Sequence, residues 1–110
     1  MDIRICTETT SDVASVHQLT RLAFLDAPHT DHTEQFIVDA LRSAGVLTVS
    51  LVAKADGRNI GHVAVSPVTL SSGATGWYGL GPVSVLPEYQ LQGVGSRLIK
   101  RALADLEAMG

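Results

Sequence analysis

Gly93 and Gly95 stand where the run LPEYQLQGVGSRLIKRAL, Leu86 to Leu103, passes from an apolar stretch into an amphipathic one. The first turn of a helix leaves several backbone N–H groups without partners. The helix dipole adds partial positive charge at the same place. Together they attract anions, phosphate above all. A phosphate must come close to bare backbone to use those amides, and a Cβ would hold it off. Glycines inside a helix cost about 1 kcal/mol each, so a bound pyrophosphate is a candidate compensation. The competing reading is that the pair only makes a tight turn, because an isolated GxG is a weak signal. Two phosphate motifs are excluded. No Lys-Ser or Lys-Thr follows the glycines, so this is not a P-loop. After GVGSRL the third glycine of a dinucleotide fingerprint is missing, and the chain ends before its acidic residue could appear.

Other residues offer chemistry with a plainer reading beside it. His62 lies in a strand-like run and could face a cleft as a general base, although strand histidines are more often structural. Tyr78 could donate a proton or simply pack, and Trp77 reads as core. Ser84 could line a cleft, while Glu88 reads as solvated. PHTDHTE supplies His29, Asp31, His32 and Glu34. A helix-capping loop explains that run better than a metal site, which would need ligands from elsewhere, so no metal is expected. Cys6 reads as a small apolar residue.

The elements that must position these groups follow from periodicity. MDIRICT alternates and predicts a strand. TTSDVASVHQLTRLAF carries apolar residues at helical spacing, with Thr10 or Ser11 as cap. LDAPHTDH is a loop broken by Pro28. TEQFIVDALRSAG predicts a second helix capped by Thr33 or Asp31, with Phe36, Ile37, Ala40 and Leu41 as its stripe and Gly45 at its end. VLTVSLVAKA and IGHVAVSPVTLS predict strands joined at Asp56-Gly57, with Pro67 marking a bulge or an edge. WYGLGPVSVLP predicts a third long strand. From Val94 the pattern is helical, with Val94, Leu98, Ile99, Ala102, Leu103, Leu106 and Met109 on one face and an Arg101–Asp105 i, i+4 pair on the other. The order is β-α-α-β-β-β-α, an α/β (α+β) protein.

The totals bound the class. With 110 residues, 45% hydrophobic and 17% charged, the chain reads as one globular domain spanning 1–110. Its longest apolar runs are too short for a membrane span, and its first twenty residues lack the apolar core of a signal peptide. A single cysteine gives no intrachain disulfide and no cysteine-based zinc site. A cytoplasmic, soluble protein is expected. With a formal net charge of -3 and no long basic run, neither nucleic acid nor membrane is an expected partner.

GLGPVSVLPEYQLQGVGSRLIKRAL resembles the acetyl-coenzyme A signature of the GNAT superfamily of N-acetyltransferases. In that signature a strand of alternating apolar residues leads into Gln/Arg-x-x-Gly-x-Gly/Ala at a helix start; here it is Gln90, Leu91, Gln92, Gly93, Val94, Gly95. The preceding LVAKADGRNIGHVAVSPVTL fits the strand pair before the signature, and the likeness, closest to a bacterial subgroup of predicted N-acetyltransferases, covers essentially the whole chain. The resemblance implies a GNAT-like, mostly antiparallel sheet with flanking helices, and direct transfer of acetyl from acetyl-CoA to the primary amine of an unidentified small-molecule or peptide acceptor. It implies that the backbone of Val83, Ser84 and Val85 meets the pantetheine arm. The amides of Gln92, Gly93, Val94, Gly95 and Ser96 would hold the pyrophosphate, with Gln90 and Leu91 completing the loop. A backbone N–H at Val83 or a close neighbour would donate to the developing oxyanion. Position 91 is Leu where close relatives often carry Gly, and position 92 is Gln where they often carry Arg or Lys; Arg97 or Arg101 could supply the missing charge. Family members continue with a further strand, a helix and a β-hairpin, so the resemblance implies that the C-terminal strands and helix are absent and the domain is cut short. An exposed last strand then predicts a homodimer through the sheet edge. The alternative function is a CoA-binding module or fragment without catalysis.

Overall fold

The computed structural model describes residues 3–25, 33–68, 73 and 77–109. Its elements follow the predicted order: β1 (Ile3–Thr7), α1 (Val13–Phe24), α2 (Glu34–Ser43), β2 (Val49–Ala55), β3 (Arg58–Val68), β4 (Trp77–Val85) and α3 (Val94–Ala108). The four strands form one sheet in the order β1-β2-β3-β4, antiparallel throughout. Alternation along the strands sorts side chains onto two faces. Leu51, Ala53, Val63 and Val65 pack with Val94, Leu98 and Ala102 of α3. On the other face, Val52 packs with Val16 of α1, Val38 of α2 and the half-buried Cys6. The helix α3 comes so close to β3 that a Cβ on Gly61 would lie 3.1 Å from side-chain atoms of both Val94 and Leu98. A side chain there would have to push Val94 and Leu98 aside by a few tenths of an ångström, which favours glycine.

Several local expectations are met. The β2–β3 hairpin turns at Asp56 and Gly57, with φ of 51° and 77°, as a tight hairpin turn demands. Gly45 follows the end of α2, donating to the Arg42 carbonyl at 3.1 Å. Thr33 occupies the N-cap of α2, and Arg101 bonds Asp105 at 3.1 Å. Others are corrected. The first helix is preceded by a short 3-10 turn, Thr10–Asp12, whose cap is Thr9 rather than Thr10 or Ser11; the Asp12 carboxylate accepts the Thr9 N–H at 2.9 Å. On α2 the buried residues are Glu34, Gln35 and Val38, while Phe36 is 57% exposed and Ile37 and Ala40 are exposed as well. The helix presents its smaller apolar side chain to α1 and the sheet, because Val38 fits against Val16 and Val52. Leu103 of α3 and Met109 just beyond it are exposed, while Val94, Leu98, Ala102 and the partly buried Leu106 face the core. Trp77 is not core; it begins β4 at 56% exposure, with Tyr78 exposed beside it. Pro67 pairs in register with Tyr78, and the irregularity lies nearer Gly81 and Pro82, where two residue steps on β3, Val63 to Val65, oppose three on β4, Val83 to Leu80. His29, Asp31 and His32 lie outside the described residues, as does most of the turn before β4.

Candidate functional site

The end of β4 and the start of α3 build one site. Leu86 N–H donates to Ile60 O at 2.9 Å. Antiparallel alternation then turns the backbone groups of Ser84 toward β3 and those of Val83 and Val85 toward the open side of the sheet. Among the three residues expected to meet the arm, only Val83 and Val85 thus present free-edge backbone. Ser84 is fully buried, its hydroxyl 3.5 Å from Thr20 Oγ1 on α1. The loop that follows is tied back to its own strand. Gln90 Nε2 donates to Val85 O at 2.9 Å, and Gln92 Nε2 donates to Glu88 O at 3.1 Å. Both glutamine side chains therefore hold the loop's shape.

Gly93 caps α3 with φ of 82°, in the left-handed region that glycine tolerates without strain. The first bond into the helix runs from Arg97 N–H to Gly93 O at 3.1 Å. The amides of Val94, Gly95 and Ser96 consequently have no acceptor within α3 and point out of its positive end. They line a cleft of about 230 Å³ with Val85, Tyr89, Gln90 and Leu91. Gly95 differs from Gly93 in one respect. A Cβ there would lie 3.8 Å from Val83 Cγ1 and 3.9 Å from Val85 Cγ2, which is ordinary contact. Nothing inside the protein requires glycine at 95, although glycine in a helix costs about 1 kcal/mol relative to alanine. A Cβ there would face the side chains of Val83 and Val85 on β4. Leu91 stands at the rim with φ of 64°.

Arg97 and Arg101 do not supply charge to this cleft. They reach the other way, donating to Ile3 O at 2.9 Å and Ile5 O at 3.4 Å on β1. Their positions on α3, four residues apart, share the flank that faces β1.

His62 pairs with Ser84 across the strands, on the face under α1. Its ring is 0% exposed. Nε2 lies 2.7 Å from Ser50 Oγ and 4.0 Å from Glu8 Oε1, and Nδ1 has no hydrogen-bond partner. Burial, helped by the positive Arg42 guanidinium, pushes its pKa down from 6.5 to about 4, so the ring is neutral near pH 7. Glu8 is itself paired with Arg42. Sequence reasoning missed this cluster, because partners 12 and 34 residues apart leave no periodic signal.

A larger hollow, about 450 Å³, lies between the start of α1 and the β2–β3 turn. Three of its polar groups satisfy one another: Asp12 Oδ1 accepts from Lys54 Nζ at 2.9 Å and from Asn59 Nδ2 at 3.0 Å. The Lys54 ammonium, then Asn59 and Thr9, hold the Asp12 carboxyl well below the usual carboxylate range. This is a clasp between α1 and the hairpin, and the unpaired amides mark the smaller cleft as the site. Among the described residues, no group of three or more His, Cys, Asp and Glu could hold a metal ion, and no helix is long and apolar enough to cross a membrane.

A four-stranded antiparallel sheet between helices, with an amide-lined helix start against its open edge, defines the class, and the family comparison agrees. The chain belongs to the acetyltransferase (GNAT) family, whose model matches residues 13–110. It is similar to the N-acetyltransferase YhbS of Escherichia coli K12, 35% identical over 96 residues that cover 78% of this chain and 58% of YhbS. The crystal structure of a GNAT family acetyltransferase from Brucella melitensis in complex with acetyl-CoA superposes with a TM-score of 0.95 at 47% identity, covering 99% of this chain and 71% of that one. The structure of YhbS in complex with CoA gives 0.87 at 33% identity, covering 98% and 58%. The chain thus spans little more than half the length of YhbS.

Proposed function

We propose that this chain carries the acetyl-CoA site of an N-acetyltransferase that moves the acetyl group directly to a primary amine of an unidentified acceptor. The observation that carries the proposal is the set of three helix-start amides without an acceptor in α3, lining a cleft with Val85 of β4. The relatives crystallised with acetyl-CoA and CoA support the choice of ligand. Acetyl-CoA supplies an activated acyl group as a thioester. The amides from Gln92 to Ser96 receive its diphosphate, with the helix dipole favouring the negative charge. Val83 C=O and Val85 N–H meet the arm, as a neighbouring strand would. Val83 N–H donates to the carbonyl oxygen as that oxygen gains charge. Gln90 and Leu91 shape the loop. Ser84 keeps the edge strand in place through its buried pairing with β3 rather than through contact with the arm.

His62 is the candidate base. Neutral at physiological pH and with an open Nδ1, it can accept a proton, but complete burial means that the proton must arrive through a relay. The same burial favours a second reading, a CoA-binding module without turnover. Calorimetry with acetyl-CoA and a CoA-release assay with a panel of amines test both. Binding with CoA release supports the transferase, binding without release supports the module, and no binding by folded protein contradicts both. When no arm occupies it, the β4 edge also supports association into a homodimer, so acetyl-CoA and a second copy compete for it. A monodisperse monomer at high concentration in light scattering would contradict that.

A further inference from the structure

Half of the chain's eight Lys and Arg residues collect on one surface, although its formal net charge is -3. A hollow of about 450 Å³ lies between β1 and α3, lined by Ile3, Arg4, Ile5, Arg97, Lys100 and Arg101. Arg97 stands three residues before Lys100 and four before Arg101, so like charges are neighbours on the helix surface, which destabilises a helix. One carboxylate tempers this, that of Asp105, which accepts from Arg101 Nε at 3.1 Å. Covering the β1 edge accounts for Arg97 and Arg101, which bond its carbonyls. It does not account for Arg4 and Lys100. Both are exposed, and their side chains have no hydrogen bond or carboxylate partner among the described residues. The chemistry of the hollow is also one-sided. Guanidinium and ammonium groups donate and cannot accept. The acceptors in its wall are the Ile3 and Ile5 carbonyls, and each already holds a guanidinium. Where those carbonyls face outward on an antiparallel edge, the N–H groups of the same residues do too. A peptide would bring N–H donors that find no acceptor here. A chain of phosphates brings only acceptor oxygens and negative charge, and guanidinium forks match it. The strand carbonyls hold two of those forks in place before any ligand arrives, which lowers the cost of ordering them on binding.

We infer that the hollow between β1 and α3 is a second anion site, which binds a short chain of phosphates, free or at the end of a nucleotide. It lies on the flank of α3 that faces β1, apart from the amides at the helix start, and it stands whether or not the cofactor site proposed above does. A long nucleic acid fits it less well, because the rest of a chain with net charge -3 would repel it.

Residue-resolved NMR titration keeps the two anion sites apart. Tripolyphosphate and ATP are added separately to wild type and to the Arg4→Ala, Lys100→Ala double variant, which retains both guanidinium bonds to β1 and should melt at the wild-type temperature. In wild type both ligands should shift the amides of Ile3, Ile5 and residues 97–101, and the double variant should bind there roughly tenfold more weakly. Both results support the inference, and the two ligands then identify the source of the phosphates. Equal affinities make the phosphate chain the whole ligand, and tighter ATP makes it a nucleotide. Shifts at Val94, Gly95 and Ser96 alone, or none, would overturn the inference, and so would undiminished binding by the double variant. An oligo-aspartate peptide or a thymidine oligonucleotide that shifts the β1 and α3 amides as strongly as tripolyphosphate would overturn it too, by showing that the surface takes any negative charge or a nucleic acid.

Discussion

The sheet has two edges, and α3 treats them in opposite ways. At β1 the outward carbonyls of Ile3 and Ile5 are taken by guanidinium groups from the flank of α3. At β4 the outward groups of Val83 have no backbone partner among the described residues, and the nearby positive feature is the start of the same helix, whose first amides have no acceptor within it. An exposed strand edge invites pairing, and proteins commonly blunt it with charge or cover. One edge is blunted that way here. The other lies beside an anion-attracting helix end, with a glycine at whose Cβ position only ordinary contacts with Val83 and Val85 would form. On the function proposed above, the difference separates an edge managed for stability from an edge kept for a ligand.

The largest predicted effect concerns the layer behind the open edge. His62 has a folded pKa of about 4 against an ordinary 6.5, so the unfolded chain takes up the proton first as pH falls. Stability should be full above pH 6.5 and should drop between there and about pH 4, by up to about 3 kcal/mol. Urea titrations across that window, repeated with His62→Gln, should show the slope in wild type and a flattened slope in the variant. A pH-independent wild type would mean that His62 is solvated. Next in size, Gly95→Val, whose Cβ alone would meet Val83 and Val85 at ordinary contact distance, should weaken acetyl-CoA binding about a hundredfold, near 2.8 kcal/mol, in protein shown by circular dichroism to be folded. Gly93→Val should also destabilise the fold, by about 1–2 kcal/mol, because it forces a β-branched residue to φ of 82°. Chemical denaturation of the two variants side by side distinguishes a glycine needed by the chain from one needed by a ligand.

Smaller effects sharpen the contrast. Gln90→Ala removes the bond to Val85 O and should cost about 1 kcal/mol of binding, read as a fivefold rise in Kd, with little change in melting temperature. Replacing Arg97 and Arg101 together by Ala should do the reverse. Stability should fall by about 1 kcal/mol, since both bonds are exposed, while acetyl-CoA binding stays at the wild-type value.

How much of this was legible in the sequence depends on the range of the interaction. The start of α3 at Val94, the glycines on either side of it and the Asp56-Gly57 turn are local features, and local patterns reported them correctly. The family signature followed from the same stretch. The buried face of α2 was misread because Phe36 and Ile37 dominate a ten-residue helix by size, while Val38 is the residue that meets Val16 and Val52. Trp77 was misread because apolar character alone does not say which end of an edge strand a residue occupies. The contacts that distinguish the two edges were not legible at all. Arg97 to Ile3 spans 94 residues, and Gln90 to Val85 depends on a loop path that composition does not fix.

Acetyl-CoA calorimetry on wild type, Gly95→Val and the Arg97→Ala, Arg101→Ala double variant tests the contrast between the edges most directly. The account predicts binding by wild type and by the double variant, and loss of about a hundredfold or more in Gly95→Val while that variant remains folded. Equal binding by all three folded proteins would contradict it, placing the cofactor away from the helix start and leaving the open β4 edge without its assigned ligand.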